Sequence, residues 1–357
     1  MSQNLLFLAG ENAYKKIREN GLSPDDIEVC VSASGAAKWL ALYGLDKSVF
    51  GSWLNNRKSP AYFFGTSIGA WKFAAACQNN SSRAFDILAD KYIAQRYGKK
   101  ITKEDVSETA QNILDEFLPP DKINEILNHP YYRISFSAVR CRKQAGNENS
   151  FVQSAALFKA AFLNFVKREY LARYFERTFF MDKRDIPPFA SVNGFPINRV
   201  FLNNKNFKKA LLASGSIPLV MKGVTEIDGA PNGVYRDGGM IDYHPVFNFN
   251  GKNKNKIVLY THFYKELIPG WFDKKFSNRR AGRKDLKDVL LLSPSEEFVS
   301  SLPEKRIPDR KDFNRLSGQD EKRISMWTES KEKSLVLGKE FLDAVESGNI
   351  KNLVKKI

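Results

Sequence analysis

The sequence contains little cysteine and little histidine, with three of each among 357 residues. The cysteines are odd in number and widely spaced, so they predict neither a disulfide framework nor a zinc site. No two histidines have the close spacing of a metal site on a helix, and three are few for a metal enzyme. We therefore expect a reduced protein that uses no metal and no cofactor. The residues concerned are Cys30, Cys77, Cys141, His129, His244 and His262.

Long apolar runs are absent as well. Crossing a bilayer takes about 18–20 consecutive apolar residues, and the runs at 257–260 and 289–292 are only strand-sized. Residues 1–10 lack the cationic region of a secretory signal, and the apolar stretch at 5–9 is too short for its core. We therefore expect neither a cleavable signal peptide nor a transmembrane helix, and a cytoplasmic or peripheral membrane location. Export by a route that leaves no cleavable signal stays open.

Acidic residues are too few to balance the basic ones. The chain has 56 Lys and Arg against 40 Asp and Glu, which gives a formal charge of +16. Such an excess favours an anionic partner, either a nucleic acid or a phospholipid surface. No recognisable nucleic-acid-binding signature accompanies it. The basic residues are densest at 274–287, which is typical of a solvated loop or of a patch for anionic head groups.

Strands and helices alternate in residues 1–80. Short runs of β-forming residues at 27–31 and 61–64 predict strands. A loop of small residues and a helix at about 38–45 follow the first run, and an Ala-rich helix at 70–77 follows the second. This alternation predicts an α/β fold with a mostly parallel central sheet.

The middle of the chain is predicted to be mainly helical. Helical spacing of apolar residues covers 82–97, 103–117 and 123–127, with one strand at 134–139. A longer amphipathic helix is predicted over 155–180, where phenylalanines are interleaved with Lys and Arg. Its apolar face either packs on the core or acts as a lid or lipid-contacting surface.

Residues 65–69 read Gly-Thr-Ser-Ile-Gly and match the G-x-S-x-G nucleophile elbow. In this motif a sharp turn from strand to helix exposes the hydroxyl of the serine, here Ser67. Gly65 and Gly69 carry no side chains, which would otherwise clash with neighbouring backbone. The helix N-terminus behind Ser67 adds the positive end of a dipole where negative charge develops. Ser67 is therefore the predicted nucleophile.

A serine nucleophile needs a base, and the residues leave two arrangements open. A Ser-Asp-His triad of the α/β-hydrolase kind would use His244 or His262. That fold usually has several strands before its elbow, whereas only about two fit before Ser67. A Ser-Asp dyad would use Asp237, which begins an Asp-Gly-Gly tripeptide after a short predicted strand at 233–236. An ordinary turn is the alternative interpretation of that tripeptide.

Four segments taken together resemble the patatin-like phospholipases. They are the small-residue loop at 32–39, the elbow at 65–69, an Ala-Ser-Gly-Ser-Ile-Pro segment at 213–218 and the Asp-Gly-Gly at 237–239. Ser216 stands where the family usually has alanine. The resemblance covers 27–247 and implies a three-layer α/β/α fold, a Ser-Asp dyad, hydrolysis of lipid acyl esters and no metal.

Carried over to this chain, the resemblance makes Ser67 the nucleophile and Asp237 the proton acceptor. Asp237 would take the Ser67 proton directly, without a histidine. The chain would then divide into a helical lead-in at 1–26, a catalytic domain at 27–294 with a helical insertion at about 82–185, and a charged helical extension at 295–357.

The resemblance also implies an oxyanion hole in the loop after the first predicted strand. Gly35 and Ala36 align with the backbone donors of that hole, and the N–H of Ile68 is a further donor. The family usually has three glycines in this loop, whereas here only Gly35 is glycine. Backbone donors do not depend on the side chain, so Ala36 still qualifies. Lys38 aligns with the cationic residue of the loop, or is a solvated lysine at a helix start.

The predicted function is a serine lipid acyl hydrolase of the phospholipase A, lysophospholipase or esterase type. The expected partners are a phospholipid or another acyl-ester lipid and a peripheral membrane surface, with no nucleic acid. Two alternatives stay open. One is acyl transfer to an alcohol on the same dyad, and the other is a non-catalytic basic protein that binds membranes or nucleic acids. Head group, acyl position, chain length and oligomeric state are not predicted.

Overall fold

In the computed structural model, residues 3–98, 101–192, 194–251 and 255–357 are described. Ten strands within these ranges form one sheet. In chain order the strands are β1 (Leu5–Ala9), β2 (Ile27–Ser32), β3 (Ala61–Thr66), β4 (Tyr132–Cys141), β5 (Phe175–Met181), β6 (Ile197–Phe201), β7 (Val234–Asp237), β8 (Ile257–Thr261), β9 (Val289–Pro294) and β10 (Lys355–Lys356).

Thirteen α-helices lie in the same described ranges. They are α1 (Glu11–Asn20), α2 (Tyr43–Gly51), α3 (Ile68–Ala76), α4 (Ser81–Ile93), α5 (Lys103–Phe117), α6 (Pro120–Asn128), α7 (Ser150–Val166), α8 (Phe207–Gly215), α9 (Glu296–Ser301), α10 (Asp312–Arg315), α11 (Asp320–Lys333), α12 (Leu335–Glu346) and α13 (Ile350–Leu353). Within the part of the chain that is described, no helix combines the length and the apolar character that crossing a membrane requires.

The sheet runs in the order β10-β1-β9-β8-β2-β3-β4-β5-β6, and β7 pairs with β4 beside this path. Most neighbouring pairs are parallel, whereas β1–β9, β4–β5 and β4–β7 are antiparallel. Every residue of β5, β8 and β9 is buried, as expected for strands that are covered on both faces. Helices flank the mixed, mostly parallel sheet. The predicted α/β/α fold class is therefore confirmed.

Strand β4 brings the ends of two other strands together. Its partner β3 ends with Thr66 opposite Ser137, and β7 ends with Asp237 opposite Ala138. Strand β5 pairs with residues 135–141 of β4, which overlap both contacts, so β3 and β7 lie along the same opposite edge of β4. Since Ser137 and Ala138 are consecutive, the residue after Thr66 comes to lie beside Asp237.

The long helix predicted over 155–180 is wrong in its second half. Helix α7 ends at Val166, and Lys167 has extended backbone with φ −156° and ψ 130°. A 3₁₀ turn follows at Arg168–Arg173, and the chain then continues as β5. The aromatic residues at 175–181 are compatible by composition with either a helix or a strand. Burial between β4 and β6 makes it a strand.

Other predictions differ from the structure more locally. The helix expected at about 38–45 is a 3₁₀ helix over Ala36–Leu42 that leads into α2. The region 82–185, predicted as a helical insertion, contains the sheet strands β4 and β5. The predicted lead-in at 1–26 contains β1 besides α1, and its residues 1–2 lie outside the described ranges. The division of the chain into three parts stays a prediction.

The region after 294 is joined to the rest of the fold at several points. Strand β10 pairs with β1 at the sheet edge. Helices α2 and α12 cross closely, because a Cβ on Gly44 would lie 2.5 Å from the Cα of Leu335, and one on Gly338 would overlap the carbonyl oxygen of Gly44. Such a crossing admits only glycine at these two contact points.

Candidate active site

Ser67 occupies the sharp turn between β3 and α3. Its φ of 55° and ψ of −128° are rare for a residue with a side chain. Close packing requires both flanking glycines, since a Cβ on Gly65 would lie 2.5 Å from the carbonyl carbon of Gly69, and one on Gly69 would lie 2.5 Å from the carbonyl oxygen of Ser32. The strand, turn and helix that the elbow motif requires are all present.

The side chains of Ser67 and Asp237 are in direct contact. Ser67 Oγ donates a hydrogen bond of 2.6 Å to Asp237 Oδ2. The other carboxylate oxygen, Oδ1, accepts the backbone N–H of Gly239 at 2.7 Å. A Cβ on Gly239 would overlap the Ser34 hydroxyl, which explains a glycine two residues after the aspartate. The carboxylate is thus held from both sides with one oxygen aimed at the serine.

Burial changes the acidity of this carboxyl group. Asp237 is only 6% exposed. Desolvation raises the pKa of Asp237 from 3.8 to about 6, against the hydrogen bonds from Ser67 and Gly239 and the positive charges of Arg310 and Lys274, which lower it. A carboxyl group with this pKa is ionised at neutral pH and is a stronger base than an ordinary aspartate. It is therefore suited to accept the proton of a neighbouring hydroxyl.

The loop after β2 presents unpaired backbone donors. Within the described ranges, the N–H groups of Gly35 and Ala36 form no hydrogen bond, whereas the N–H of Ser34 donates to the carbonyl of Tyr243 at 2.9 Å. A Cβ on Gly35 would overlap the Phe263 ring. Ala36 has φ 49°, a left-handed conformation that costs a residue with a side chain about 1–2 kcal/mol. Ala36 and Ser67 line the same cavity.

Lys38, the predicted cationic residue of this loop, is engaged elsewhere. Its Nζ forms an ion pair with Asp309 and lies 5.9 Å from the centre of the Phe263 ring. Lys38 does not line the cavity that Ser67 lines, whereas Arg310, next to Asp309, does. The structure therefore brings a cation from the C-terminal region to the site in place of the lysine expected from the loop.

The motif segment at 213–218 forms hydrogen bonds to the backbone of both Ser67 and Asp237. Ser214 Oγ accepts the backbone N–H of Ser67 at 3.0 Å and donates to the carbonyl of Ser137 on β4 at 2.8 Å. The carbonyl of Ser216 accepts the backbone N–H of Asp237 at 2.9 Å. The last turn of α8 and the residue after it thereby bind the backbone of both Ser67 and Asp237.

The two histidines of the triad alternative lie together but not at the serine. Their rings are 4.2 Å apart, His244 Nδ1 accepts the N–H of Ile268 at 2.9 Å, and His262 Nδ1 lies 2.7 Å from the carbonyl of Tyr264. Burial lowers the pKa of His262 to about 3 and that of His244 well below its usual range. Both rings are thus neutral, and Ser67 hydrogen-bonds to Asp237 instead. The geometry gives the triad no support.

Ser67 opens into a cavity of about 650 Å³. Its walls come from α3, the end of α4, α5, the loop at 215–221 and the segment at 310–314. The larger apolar side chains of the wall are Ile68, Trp71, Tyr92, Tyr97, Ile101, Val106, Ile113, Ile217, Leu219, Val220, Met221 and Phe313. Charged side chains also line the cavity, and they are Lys103, Glu104, Glu148, Arg310 and Lys311.

The wall formed by the C-terminal region was not predicted. Arg310, Lys311 and Phe313 follow Pro308 in the region predicted as a charged helical extension. No motif marks these residues, because their place at the site depends on contacts such as the pair between Lys38 and Asp309. Only long-range contacts, which a single sequence does not reveal, could have identified them.

Comparison with known proteins adds a family assignment. Residues 32–249 match the model of a family described as Patatin-like phospholipase. No curated protein matches the chain in sequence. Among solved structures, VipD from Legionella pneumophila has a TM-score of 0.33 and 10% identity over 73% of this chain and 54% of its own. Human GIVD cytosolic phospholipase A2 has a TM-score of 0.41 and 9% identity over 95% of this chain and 63% of its own. The chain spans less than two thirds of the length of either.

Proposed function

The chain belongs to the patatin-like phospholipase family, and we propose that it is a serine lipid acyl hydrolase with a Ser67–Asp237 dyad. The observation that carries this proposal is the 2.6 Å hydrogen bond from Ser67 Oγ to Asp237 Oδ2. It joins a hydroxyl in a strained turn at the wall of the cavity to a carboxylate of raised pKa. A nucleophile in contact with its base is the minimum that acyl transfer through a serine ester requires.

Acylation of the enzyme begins with attack of Ser67 Oγ on the carbonyl carbon of the lipid ester. The hydroxyl proton passes to Asp237 Oδ2 as the new C–O bond forms. When the tetrahedral intermediate collapses, the C–O bond to the alcohol breaks and Asp237 returns the proton to the leaving alkoxide. The products of this step are a free alcohol, such as a lysophospholipid, and an acyl-enzyme.

Deacylation repeats the sequence with water as the nucleophile. Water attacks the acyl carbonyl carbon and gives a proton to Asp237. Collapse then breaks the bond to Ser67 Oγ, which takes the proton back as the fatty acid leaves. Asp237 acts as base and acid in both halves, so the cycle needs no histidine.

The negative charge on the carbonyl oxygen needs hydrogen-bond donors. The unpaired N–H groups of Gly35 and Ala36, together with that of Ile68 at the start of α3, are the donors that we assign. A donor in such a hole lowers the barrier by about 2.7–4 kcal/mol. We assign Lys38 a different role, which is to anchor the segment beginning at Asp309 against the catalytic core.

The cavity supports a lipid as the substrate class. Its volume of about 650 Å³ lies within the roughly 300–1,000 Å³ typical of small-molecule sites. We assign the acyl chain to the apolar wall that includes Trp71 and Phe313, and the phosphate-bearing head group to the cationic part with Arg310 and Lys311.

Labelling with a fluorophosphonate probe tests the nucleophile, and release of fatty acid from phosphatidylcholine tests the reaction. Wild type should be labelled and should release fatty acid. Ser67→Ala should do neither, and Asp237→Asn should lose both activities while it stays folded, because asparagine occupies the same space.

The outcomes separate the open alternatives. A wild-type protein that is not labelled would contradict the proposal, and labelling at a residue other than Ser67 would do the same. If Asp237→Asn kept full activity, the dyad would be wrong, and the triad that uses His244 or His262 would again be the hypothesis to test. If an added alcohol lipid received the acyl chain in preference to water, the protein would be an acyltransferase on the same dyad.

A further inference from the structure

Helix α7 presents its largest apolar side chains to solvent. The side chains of Phe151, Phe158, Phe162 and Phe165 are 84%, 77%, 63% and 67% exposed. At about 100° of rotation per residue, these four positions fall within roughly 60° of the helix surface. They form one stripe, here called the aromatic row. For Phe158, Phe162 and Phe165, the interpretation as a core-packing face is therefore wrong.

The opposite face of α7 is buried although it carries polar residues. Gln153 and Asn164 are both fully buried. Gln153 donates to the carbonyl of Ala145 at 3.1 Å and accepts the N–H of Leu219 at 2.9 Å. Asn164 donates to Asp273 Oδ1 at 3.0 Å. These bonds fix the rotation of the helix, so it cannot roll to bury the aromatic row without leaving them unsatisfied.

Cations surround the aromatic row. Four exposed basic residues lie on α7, just after it, or in the loop packed against its end, and none of them forms an ion pair within the described ranges. The loop is held there because Phe276 packs on Phe165 at 6.1 Å and Arg279 donates to the carbonyl of Asn164 at 2.7 Å. One exposed acid, Glu169, accompanies them. The cations are Lys159, Lys167, Arg173 and Lys275.

The other end of the aromatic row adjoins the opening of the catalytic cavity. Ser150, the first residue of α7, lines that cavity. Leu219 also lines it, is 39% exposed and is bound to Gln153 of α7 through its N–H. The row therefore runs from the cavity opening, at Phe151, to the basic loop, at Phe165.

We propose that the aromatic row and its cations dock the protein on a bilayer that contains anionic phospholipid. The proposal rests on the proposed function, because the bilayer then supplies the lipid that enters the cavity. Aromatic rings on one side of a helix insert between head groups, and the adjacent cations bind phosphates and carboxylates of the lipids. A second copy of the chain would bring the same positive charge against this face, which disfavours self-association through it.

Sedimentation with vesicles tests the docking face. One set of vesicles contains phosphatidylcholine alone, and the other contains phosphatidylcholine mixed with phosphatidylserine. Wild type should bind the mixed vesicles more tightly. Phe158→Ser with Phe162→Ser should weaken binding by about tenfold per phenylalanine. Lys159→Gln with Lys167→Gln should weaken binding to the mixed vesicles alone, by about fivefold per lysine.

Phe201→Ser is the matched control, because Phe201 is 53% exposed on strand β6 and lies outside the aromatic row. It should bind vesicles as wild type does. Hydrolysis of a water-soluble short-chain ester needs no membrane, so it reports the dyad separately. Ser67→Ala should bind vesicles normally and hydrolyse nothing.

Several results would overturn the docking face. The first is that wild type fails to bind the mixed vesicles. The second is that the double phenylalanine variant binds these vesicles as tightly as wild type does. The third is that wild type is a dimer whereas the double phenylalanine variant is a monomer. The last result would mean that a second copy covers the row. If vesicles bound normally but wild type hydrolysed no ester, the proposed function would fail and the docking face would stand.

Discussion

Replacing the dyad aspartate with asparagine should stabilise the fold at neutral pH while it abolishes hydrolysis. Asp237 must be ionised to act as a base, but its burial opposes ionisation. Asparagine has nearly the same shape and carries no charge. Asp237→Asn thereby removes a buried charge that the proposed reaction requires but that lowers the stability of the fold.

The expected gain in unfolding free energy follows from the pKa of Asp237. Burial raises this pKa from 3.8 to about 6, which corresponds to about 3 kcal/mol of unfolding free energy lost when the group ionises. The neighbouring hydrogen bonds survive the substitution, because an asparagine oxygen accepts the N–H of Gly239 and its amide donates to Ser67 Oγ. We therefore expect Asp237→Asn to be about 2–3 kcal/mol more stable than wild type at neutral pH.

The difference in unfolding free energy between wild type and Asp237→Asn changes with pH between the pKa of Asp237 in the unfolded chain and its pKa in the folded protein. In the unfolded chain the carboxyl group of Asp237 loses its proton near pH 3.8, and in the folded protein near pH 6. Between these values the folded state binds more protons, so the stability contributed by this group falls as pH rises. The stability contributed by the Asp237 carboxyl group is fully present below pH 3.8 and is lost above about pH 6. Wild type and variant should thus be equally stable at the acid end and differ most above pH 6.

Urea unfolding of both proteins across this pH range measures the difference. Asp242→Asn is the matched control, since Asp242 is 1% exposed and binds the buried Arg177 through bonds of 2.8 and 2.6 Å. Breaking a buried ion pair leaves an uncompensated charge and costs about 3–5 kcal/mol. The control should therefore change stability in the opposite direction.

Two results would refute this reasoning. One is an Asp237→Asn variant that is no more stable than wild type above pH 6, which would mean that the carboxylate is not destabilised by burial. The other is full ester hydrolysis by this variant, which would mean that the charge is not needed as a base.

Three further expectations concern the same site. Initial rates on a soluble ester should rise about tenfold per pH unit below the Asp237 pKa of about 6 and level off above it, and a flat profile would exclude Asp237 as the base. Arg310→Gln removes a positive charge that lowers this pKa, so the rising limb of that profile should move to higher pH; an unmoved limb would contradict the electrostatic role of Arg310. Gly69→Ala places a Cβ 2.5 Å from a β2 carbonyl oxygen and should cost about 1–3 kcal/mol in urea unfolding and lose fluorophosphonate labelling, whereas unchanged values would show that the elbow tolerates a side chain.

Local signals in the sequence predicted much of the fold and the contact at its centre. The elbow at 65–69 requires a strand before it and a helix after it, so that motif predicted the order of β3 and α3, although each element extends about two residues further toward Ser67 than predicted. The contact of Ser67 with Asp237 followed from the resemblance of the two motifs to one family. The reason for the contact lies in strand pairing. Both β3 and β7 end on the same edge of β4, and no local pattern encodes that register.

Helix α7 illustrates a limit of periodicity. Phenylalanines at helical spacing indicate one apolar stripe, but spacing does not tell whether that stripe faces the core or the solvent. The partners of Gln153 and Asn164 decide this, and they lie in distant loops. The same limit explains the change from helix to strand beyond Val166, where burial against β4 overrides the helical pattern.

The cavity wall at 310–314 also has a consequence for the order in which the site is completed. Ser67, the loop residues Gly35 and Ala36, and Asp237 all precede this wall in the chain, so they are synthesised first. Strands β3 and β7, which carry Ser67 and Asp237 at their ends, and their common partner β4 also precede Pro308. The wall that Arg310 and Phe313 add to the cavity, next to the Lys38–Asp309 ion pair, therefore belongs to the last part of the chain to be made.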